Sequence, residues 1–387
     1  MLKKVAVVTA TRAEYGILKN VIEKIDKSEQ LELCLIVTGM HLVPEYGMTV
    51  EEIEQDGYRI SEKVDILLTS NTPASVSKTM GLAMILFSEV FERQNPDMLI
   101  VLGDRYELLS VCSAAMNAGI PITHISGGET TQGAIDESIR HCITKMSYLH
   151  FPACEAYRKR IIQLGEEPER VYNFGDVGVE TLRTIPLMSK EELEKSIDFS
   201  LDKPYLSVTF HPTTLESEEA EKQMKEVLAA LEVFPDMKFV FTKANADAGG
   251  KKMNDLIDRY SNSHDNCIAF ASLGIRRYLS LLRYSSGILG NSSSGIVEAP
   301  SFGIPTINIG SRQKGRLQAD SILNCEPERE QIIRAVIQSQ SKEFLERARN
   351  TKNPYGDGDV STQIVKVITE YLYQNKIYLE KKFYDVI

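Results

Sequence analysis

Short runs of consecutive apolar residues alternate along this chain with segments whose apolar positions recur every three or four residues. These are the periods of buried strands and of amphipathic helices. Residues 4–9 form a continuous apolar run of strand length, and residues 15–25 repeat at helical spacing. Residues 31–37 are again strand-like and end in Thr38-Gly39. A long, mostly buried helix is predicted over 75–92 with Ser75 as its cap, then a buried strand over 98–102 and a helix over 106–117. The strand 120–125 leads into Ser126-Gly127-Gly128, after which Asp136 and Glu137 open another helical pattern. A short strand at 148–151, a helix over 155–164 and a strand over 171–174 complete the half.

From Gly175 to about Ser200 the pattern is interrupted by Gly178, Pro186 and a run of Lys and Glu, which reads as an inter-domain connection. Alternation then resumes, with strands over 205–210, 238–242, 267–270, 287–289 and 306–309. Helices are predicted between them over 216–234, 251–260 and 275–284, with a short one from Ser294 and a last one over 362–381. Repeated strand–helix alternation is the signature of a parallel sheet with helices on both faces. The fold class expected is therefore α/β, with two Rossmann-like doubly wound domains facing a cleft and ligand groups at the carboxyl ends of strands. The domains are placed at residues 1–175 and 176–361. A length of 387 residues, beyond the size at which single cores stop growing, agrees with two domains.

Composition narrows the partners. A net charge of -10 and a pI near 5.3 argue against nucleic acid or an anionic membrane as partner, while leaving room for a local basic pocket. The six cysteines are scattered with no C-x-x-C pair, so they read as reduced thiols of a cytoplasmic protein rather than a disulfide frame or zinc site. Lys3 and Lys4 before an apolar run superficially suggest a signal peptide, but Arg12 and Glu14 interrupt it and a first buried strand is expected. The other apolar run, 80–87, is too short to span a bilayer. The histidines show no metal-ligand spacing, so no catalytic metal is expected.

Five stretches at predicted strand ends carry candidate chemistry. After the first strand, TATRAEYG lacks the glycine triplet of dinucleotide sites, while Arg12 suits an anionic ligand through bidentate contact; a surface arginine is the plainer reading. In LGDRYE, Asp104 follows a turn glycine and is placed either for acid–base work or as an N-cap. In THISGGETTQGAIDESIRH, Glu129 at the mouth of a glycine turn and Asp136 at a helix start suggest proton chemistry on an oxygen-rich ligand. Loop decoration and an ordinary helix-start charge compete with that reading. His211 in TFHPTT ends the first strand of the second half, where an imidazole can move protons near neutral pH or serve structure alone. In GNSSSG, Ser292, Ser293, Ser294 and Gly295 lie between a strand and a helix with Glu298 a turn further on. Small residues and free N–H groups there suit a pyrophosphate, and Glu298 a ribose diol, against a turn that merely caps a helix.

The stretches LGDRYE, HISGGETTQGAIDESIRHCITK, GNSSSGIVEAPSFGIPTINIGSRQKGR and YGDGD, in this order, resemble the hydrolysing UDP-N-acetylglucosamine 2-epimerase family of sialic acid biosynthesis. The likeness runs from TRAEYG to NPYGDGD and covers nearly the whole chain. It implies the glycosyltransferase-B architecture, with a C-terminal helix (362–387) joining the first domain. It also implies conversion of UDP-N-acetylglucosamine to N-acetylmannosamine and UDP, by elimination to 2-acetamidoglucal and hydration. By the same resemblance Asp104, Glu129 and Asp136 are the acid–base carboxylates and His211 assists the leaving diphosphate. Arg12, Asn245, Ser292, Ser293, Glu298 and Arg312 match nucleotide-binding positions, and Arg105 lies close to the sugar or diphosphate. No cofactor is implied, and the family forms homodimers or homotetramers. The GGETTQGAIDESIRH stretch is the hydrolysing pattern, which sets the chain apart from non-hydrolysing UDP-N-acetylglucosamine 2-epimerases. A UDP-linked 2,4-diacetamido-6-deoxy sugar or a GDP-linked sugar is an alternative substrate. A glycosyltransferase on the same architecture, or an inactive nucleotide-sugar sensor, would not need the Glu129 and Asp136 pair.

Overall fold

The computed structural model describes residues 2–386 except 69–71, 132–134, 212–218, 244–249, 357 and 375–376. The chain divides into two compact units: Met1–Glu129 with Ile135–Thr181 and Tyr355–Ile387, and Thr130–Ala134 with Leu182–Pro354.

Unit 1 begins β1 (Lys3–Thr9), α1 (Arg12–Asp26), β2 (Leu31–Thr38), α2 (Val50–Gln55), β3 (Ile60–Val64) and α3 (Pro73–Gln94). It continues β4 (Met98–Leu102), α4 (Tyr106–Asn117), β5 (Ile122–Ile125), α5 (Asp136–Met146), β6 (Leu149–Phe151) and α6 (Glu155–Gln163). The strands form one parallel sheet in the order β3-β2-β1-β4-β5-β6. Along β1, Val5 and Val7 enter one apolar cluster while Ala6 and Val8 enter another on the opposite face. Period-two alternation with both faces buried is why this strand reads as an uninterrupted apolar run.

α7 (Val177–Thr184) and α8 (Lys190–Ile197) follow. Unit 2 then runs β7 (Tyr205–Thr209), α9 (Ala220–Leu231), β8 (Lys238–Thr242), α10 (Gly250–Ser263), β9 (Cys267–Phe270) and α11 (Gly274–Tyr284). Next come β10 (Ile288–Gly290), α12 (Ser294–Val297), α13 (Ala299–Phe302), β11 (Thr306–Ile309), β12 (Ile322–Cys325), α14 (Arg329–Ser339) and α15 (Lys342–Arg349). Its sheet is also parallel, in the order β12-β11-β10-β7-β8-β9. The last helix, α16 (Val360–Tyr373), places Ile364, Ile368 and Leu372 in the core of unit 1.

Several expectations are corrected. The first unit reaches Thr181 instead of residue 175, because Val177 of α7 joins its core and the Glu180 carboxylate accepts from Ser361 N and Oγ at 2.7 Å each. Leu182 packs with an apolar cluster of unit 2. The supposed connection holds two helices, and α8 is started by a capping box in which Ser189 and Glu192 satisfy each other's backbone N–H. Thr72 caps α3 in place of Ser75. That helix is long and apolar enough to cross a membrane by length and composition, which the run 80–87 alone does not suggest. Its Ala83, Phe87, Val90 and Phe91 are buried in unit 1. Residues 171–174 make a single bridge, His150 with Val171, rather than a strand. The C-terminal helix stops at Tyr373, and Lys381 beyond it is held by Glu166 at 2.8 Å and by the Lys145 and Ser147 carbonyls.

Candidate active site

In an open parallel sheet, ligands sit beyond the carboxyl ends of strands where the strand order reverses. In unit 1 that point lies between β1 and β4, and in unit 2 between β7 and β10. Arg12, Asp104 and Arg105 follow the first pair, and His211 and the GNSSSG turn follow the second. Four of the five candidate stretches thus stand at the reversal of their own sheet. The fifth, around Glu129, leaves the neighbouring strand β5.

After β1, Thr11 caps α1 in a reciprocal box with Glu14, whose Oε2 accepts from Ala10 N at 2.8 Å and Thr11 N at 3.1 Å. Arg12, the first residue of that helix, is exposed. Glu14 is buried, and its Oε1 has no hydrogen-bond partner among the described residues. Burial, reinforced by the nearby Glu107, pushes its carboxyl up to about 7.

The loop after β4 resolves the two readings of Asp104. The N-cap of α4 is Arg105 and carries no side-chain cap bond, so Asp104 is not used as a cap. Its carboxylate pairs instead with Arg140 of α5. Arg140 is almost fully buried and also binds Glu137 at 3.3 Å, which in turn meets His141 Nε2 at 3.2 Å. His124 on β5 underpins the turn: its Nε2 lies 2.8 Å from the Gly103 carbonyl and its Nδ1 3.1 Å from Thr144 Oγ1. A carbonyl only accepts, so Nε2 carries the proton and Nδ1 receives the threonine hydroxyl. Burial drives this imidazole down to about 3, which keeps it neutral.

Glu129 is buried rather than a decoration of an exposed loop. Asp136 is half-buried in the first turn of α5, where its charge also suits the helix dipole, so both of its readings stand. The Asp104–Arg140 pair ties the β4 turn to the helix that Asp136 opens.

In unit 2, Asn291 holds the main chain of His211 from both sides, accepting from its N–H at 2.7 Å and donating to its carbonyl at 2.8 Å. The Asn291 carbonyl receives Arg312 Nη1 at 2.9 Å and Gln313 Nε2 at 2.8 Å. Burial and the neighbouring Arg312 cation drive His211 down to about 3, so the ring is neutral at neutral pH, and its Nδ1 has no hydrogen-bond partner among the described residues. Burial raises the Glu298 carboxyl, and its Oε2 also has no hydrogen-bond partner among the described residues.

The short helix expected from Ser294 is α12, four residues long, followed at once by the four-residue α13, and a single turn sums only a small dipole. Gly295 is required for packing against β11, because a Cβ there would lie 2.7 Å from Thr306 Cγ2. Ser292 is half-buried, Ser293 is exposed and Ser294 is buried. Asn245 lies outside the described residues.

Sequence reasoning passed over Arg140, Glu107, Asn291 and Gln313, although all stand within the quoted motifs or beside them. The burial of Arg140, which calls for a carboxylate partner, is seen only in the structure.

Glu14 gives a pH prediction. Its folded value is raised above the unfolded one, so the folded state binds more protons and stability is lost as pH rises from about 4.5 toward about 7. The loss expected from this group is on the order of 3 kcal/mol. Denaturant unfolding at pH 5 and pH 8 should show a smaller difference for Glu14→Gln than for wild type; equal differences would refute the assignment.

A family model described as UDP-N-acetylglucosamine 2-epimerase matches residues 23–369. The chain is 42% identical over 386 residues to a GDP/UDP-N,N'-diacetylbacillosamine 2-epimerase (hydrolyzing) from Campylobacter jejuni, covering 99% of each. It is 39% identical over 390 residues to polysialic acid biosynthesis protein P7 of Escherichia coli, covering 100% of this chain and 98% of that one. Among solved structures, the UDP-GlcNAc 2-epimerase from Neisseria meningitidis bound to UDP-GlcNAc superposes with a TM-score of 0.83 at 20% identity. That match covers 95% of this chain and 100% of the other, and it establishes the fold alone. The doubly wound pair of parallel sheets is thus the architecture of nucleotide-sugar 2-epimerases. The chain belongs to the UDP-N-acetylglucosamine 2-epimerase family, among its hydrolysing members.

Proposed function

We propose that this protein converts a nucleotide-linked 2,4-diacetamido-6-deoxy sugar to the free 2-epimeric sugar and the nucleoside diphosphate. The observation that carries this reading is 42% identity, end to end, to an epimerase named for N,N'-diacetylbacillosamine. It reorders the expectation from motifs, which put UDP-N-acetylglucosamine first. That substrate remains the second reading, favoured by the 39% identity to the polysialic acid protein P7.

The chemistry proposed is the same for either sugar. A carboxylate removes the C2 proton, the C–H electrons form the C1=C2 bond, and the C1–O bond breaks as the diphosphate leaves. Water then adds its oxygen to C1 and a proton returns to C2 from the opposite face. Proton transfer on both faces needs at least two acid–base groups, for which Asp104, Glu129 and Asp136 are the candidates. The Arg140 pair holds Asp104 in place as an anion, which supports a role as proton acceptor. His211, Ser292, Ser293, Glu298 and Arg312 serve the nucleotide diphosphate. The neutral imidazole of His211, whose Nδ1 has no hydrogen-bond partner among the described residues, can donate an N–H to a phosphate oxygen and so stabilise the charge that develops there.

Incubation with each nucleotide sugar in deuterated water, followed by NMR, tests the proposal. The expected products are free nucleoside diphosphate and a 2-epimeric sugar deuterated at C2, formed faster from the diacetamido sugar nucleotide. Faster turnover of UDP-N-acetylglucosamine would select the second reading. An epimer still linked to its nucleotide would refute hydrolysis.

A further inference from the structure

Glu107 is the most deeply buried carboxylate at the β1/β4 reversal, and the mechanism above leaves it without a task. Its side chain is 0% exposed and lies in the first turn of α4. Oε1 accepts from Arg105 Nε at 3.2 Å, and Oε2 has no hydrogen-bond partner among the described residues. A buried carboxylate with an unsatisfied oxygen is costly, and such groups call for a functional or strain-based explanation. Packing does not supply one, because apolar side chains surround the same turn: Leu108, Val111 and Cys112 are all buried.

What Glu107 does hold is Arg105. The grip is through Nε alone rather than the fork of Nε and a terminal nitrogen that a two-point clamp would use. The guanidinium also lies over the Tyr106 ring, 5.2 Å from its centroid. Its side chain remains partly exposed, at 29%. Burial opposes the charge of Arg105, but the Glu107 and Glu14 carboxyls outweigh it and keep the group cationic. A cation fixed by its Nε and one ring face, with accessible surface left at a strand-order reversal, is prepared to receive an anion.

We propose that Glu107 is a positioning residue that orients Arg105 toward the diphosphate of the nucleotide sugar. This inference rests on the proposed function, and of the two groups that the family resemblance places near Arg105, sugar or diphosphate, it takes the diphosphate. Glu107 touches no substrate itself and acts through the guanidinium. Two opposite outcomes follow from its two possible roles. If Glu107 orients Arg105, neutralising it weakens diphosphate binding. If it contributes only a negative charge near an anion, neutralising it strengthens binding.

The test compares Glu107→Gln, Arg105→Met and the double variant, reading KM, kcat, the inhibition constant of UDP and the unfolding temperature. Glu107→Gln keeps an oxygen able to accept from Nε while removing the charge, so folding is expected to persist. Turning this charge-assisted hydrogen bond into a neutral one should raise KM and the UDP inhibition constant by roughly tenfold. The expected change in kcat is within about threefold. The double variant should bind no worse than Arg105→Met, because a residue acting through another adds nothing once that other is gone. If Arg105→Met leaves KM and UDP inhibition unchanged, the diphosphate reading of Arg105 fails and takes the inference with it. Should Arg105→Met weaken binding while Glu107→Gln does not, or strengthens it, only the positioning role is overturned. Fully additive effects in the double variant would overturn it as well.

Discussion

Asp104→Asn is expected to lower turnover by roughly 10²- to 10⁴-fold while leaving UDP binding within a few fold of wild type. The expectation follows from what the carboxylate does and does not do. It does not cap α4, where Arg105 stands at the N-cap, so removing its charge costs no helix start. It faces Arg140, and asparagine still offers Arg140 an oxygen at the same place. Arg140 also retains Glu137 at 3.3 Å, so the buried guanidinium is not left without a carboxylate. A stability loss of about 1–3 kcal/mol is then expected from weakening one charge-assisted bond. Loss of the base should dominate. A purely structural Asp104 makes a different forecast: its sole task would be to neutralise Arg140, and removing both charges in Asp104→Asn with Arg140→Met would restore turnover. Measured kcat in the single and double variants, with UDP binding by calorimetry, separates the cases. Recovery in the double variant, or near wild-type turnover in the single one, would sink the catalytic assignment. Glu129→Gln should lose activity comparably, since Glu129 is buried and stands directly after the glycine turn.

The two sheets were legible because parallel strands buried on both faces are written as continuous apolar runs, as in Val5 to Val8 and Phe239 to Phe241. The strands that escaped notice, β3 and β12, are the outermost of their sheets. β3 reads Ile-Ser-Glu-Lys-Val and β12 Ile-Leu-Asn-Cys, with polar residues breaking the run as edge strands require. α8 was hidden by its charge, although Ser189 and Glu192 spell the start signal three residues apart. At the site, the ends of apolar runs drew attention to Asp104, Glu129 and His211; the sheet order puts Asp104 and His211 at a reversal, whereas Glu129 leaves the neighbouring strand β5. Their partners were a different matter. Arg140 reaches Asp104 over 36 positions, and Asn291 reaches His211 over 80. Such pairings are set by how the sheet is assembled, and no local spacing encodes them. Choosing between cap and carboxylate at Asp104 likewise needed the backbone of the next residue.

Gly290→Ala is expected to be the most damaging single-methyl change in unit 2. Gly290 ends β10, paired in register with Thr209 of β7 on one side and Asn308 of β11 on the other. Its φ is +137°, a region that side-chain-bearing residues rarely adopt. A Cβ there would lie 1.9 Å from the Thr209 carbonyl oxygen, so the two central strands would have to separate. That oxygen also receives the Asn291 N–H at 3.0 Å, and the Asn291 side chain holds His211. Neither backbone can yield alone: β7 is bound to β8 along five residue pairs, and β10 to β11 along three. Strain and a backbone clash in a close-packed sheet centre should together cost on the order of 4 kcal/mol or more, a large share of the stability of an ordinary domain. Gly81→Ala provides the control. Gly81 lies in α3, is exposed and has nothing within 4 Å of an added Cβ, so alanine should stabilise the chain by roughly 0.5–1 kcal/mol. Thermal unfolding with limited proteolysis of unit 2 should show an early loss for Gly290→Ala and a small gain for Gly81→Ala. A Gly290→Ala protein with a wild-type transition and normal UDP binding would mean that the β7–β10 reversal tolerates opening, and that UDP binding does not depend on the hold of Asn291 on His211.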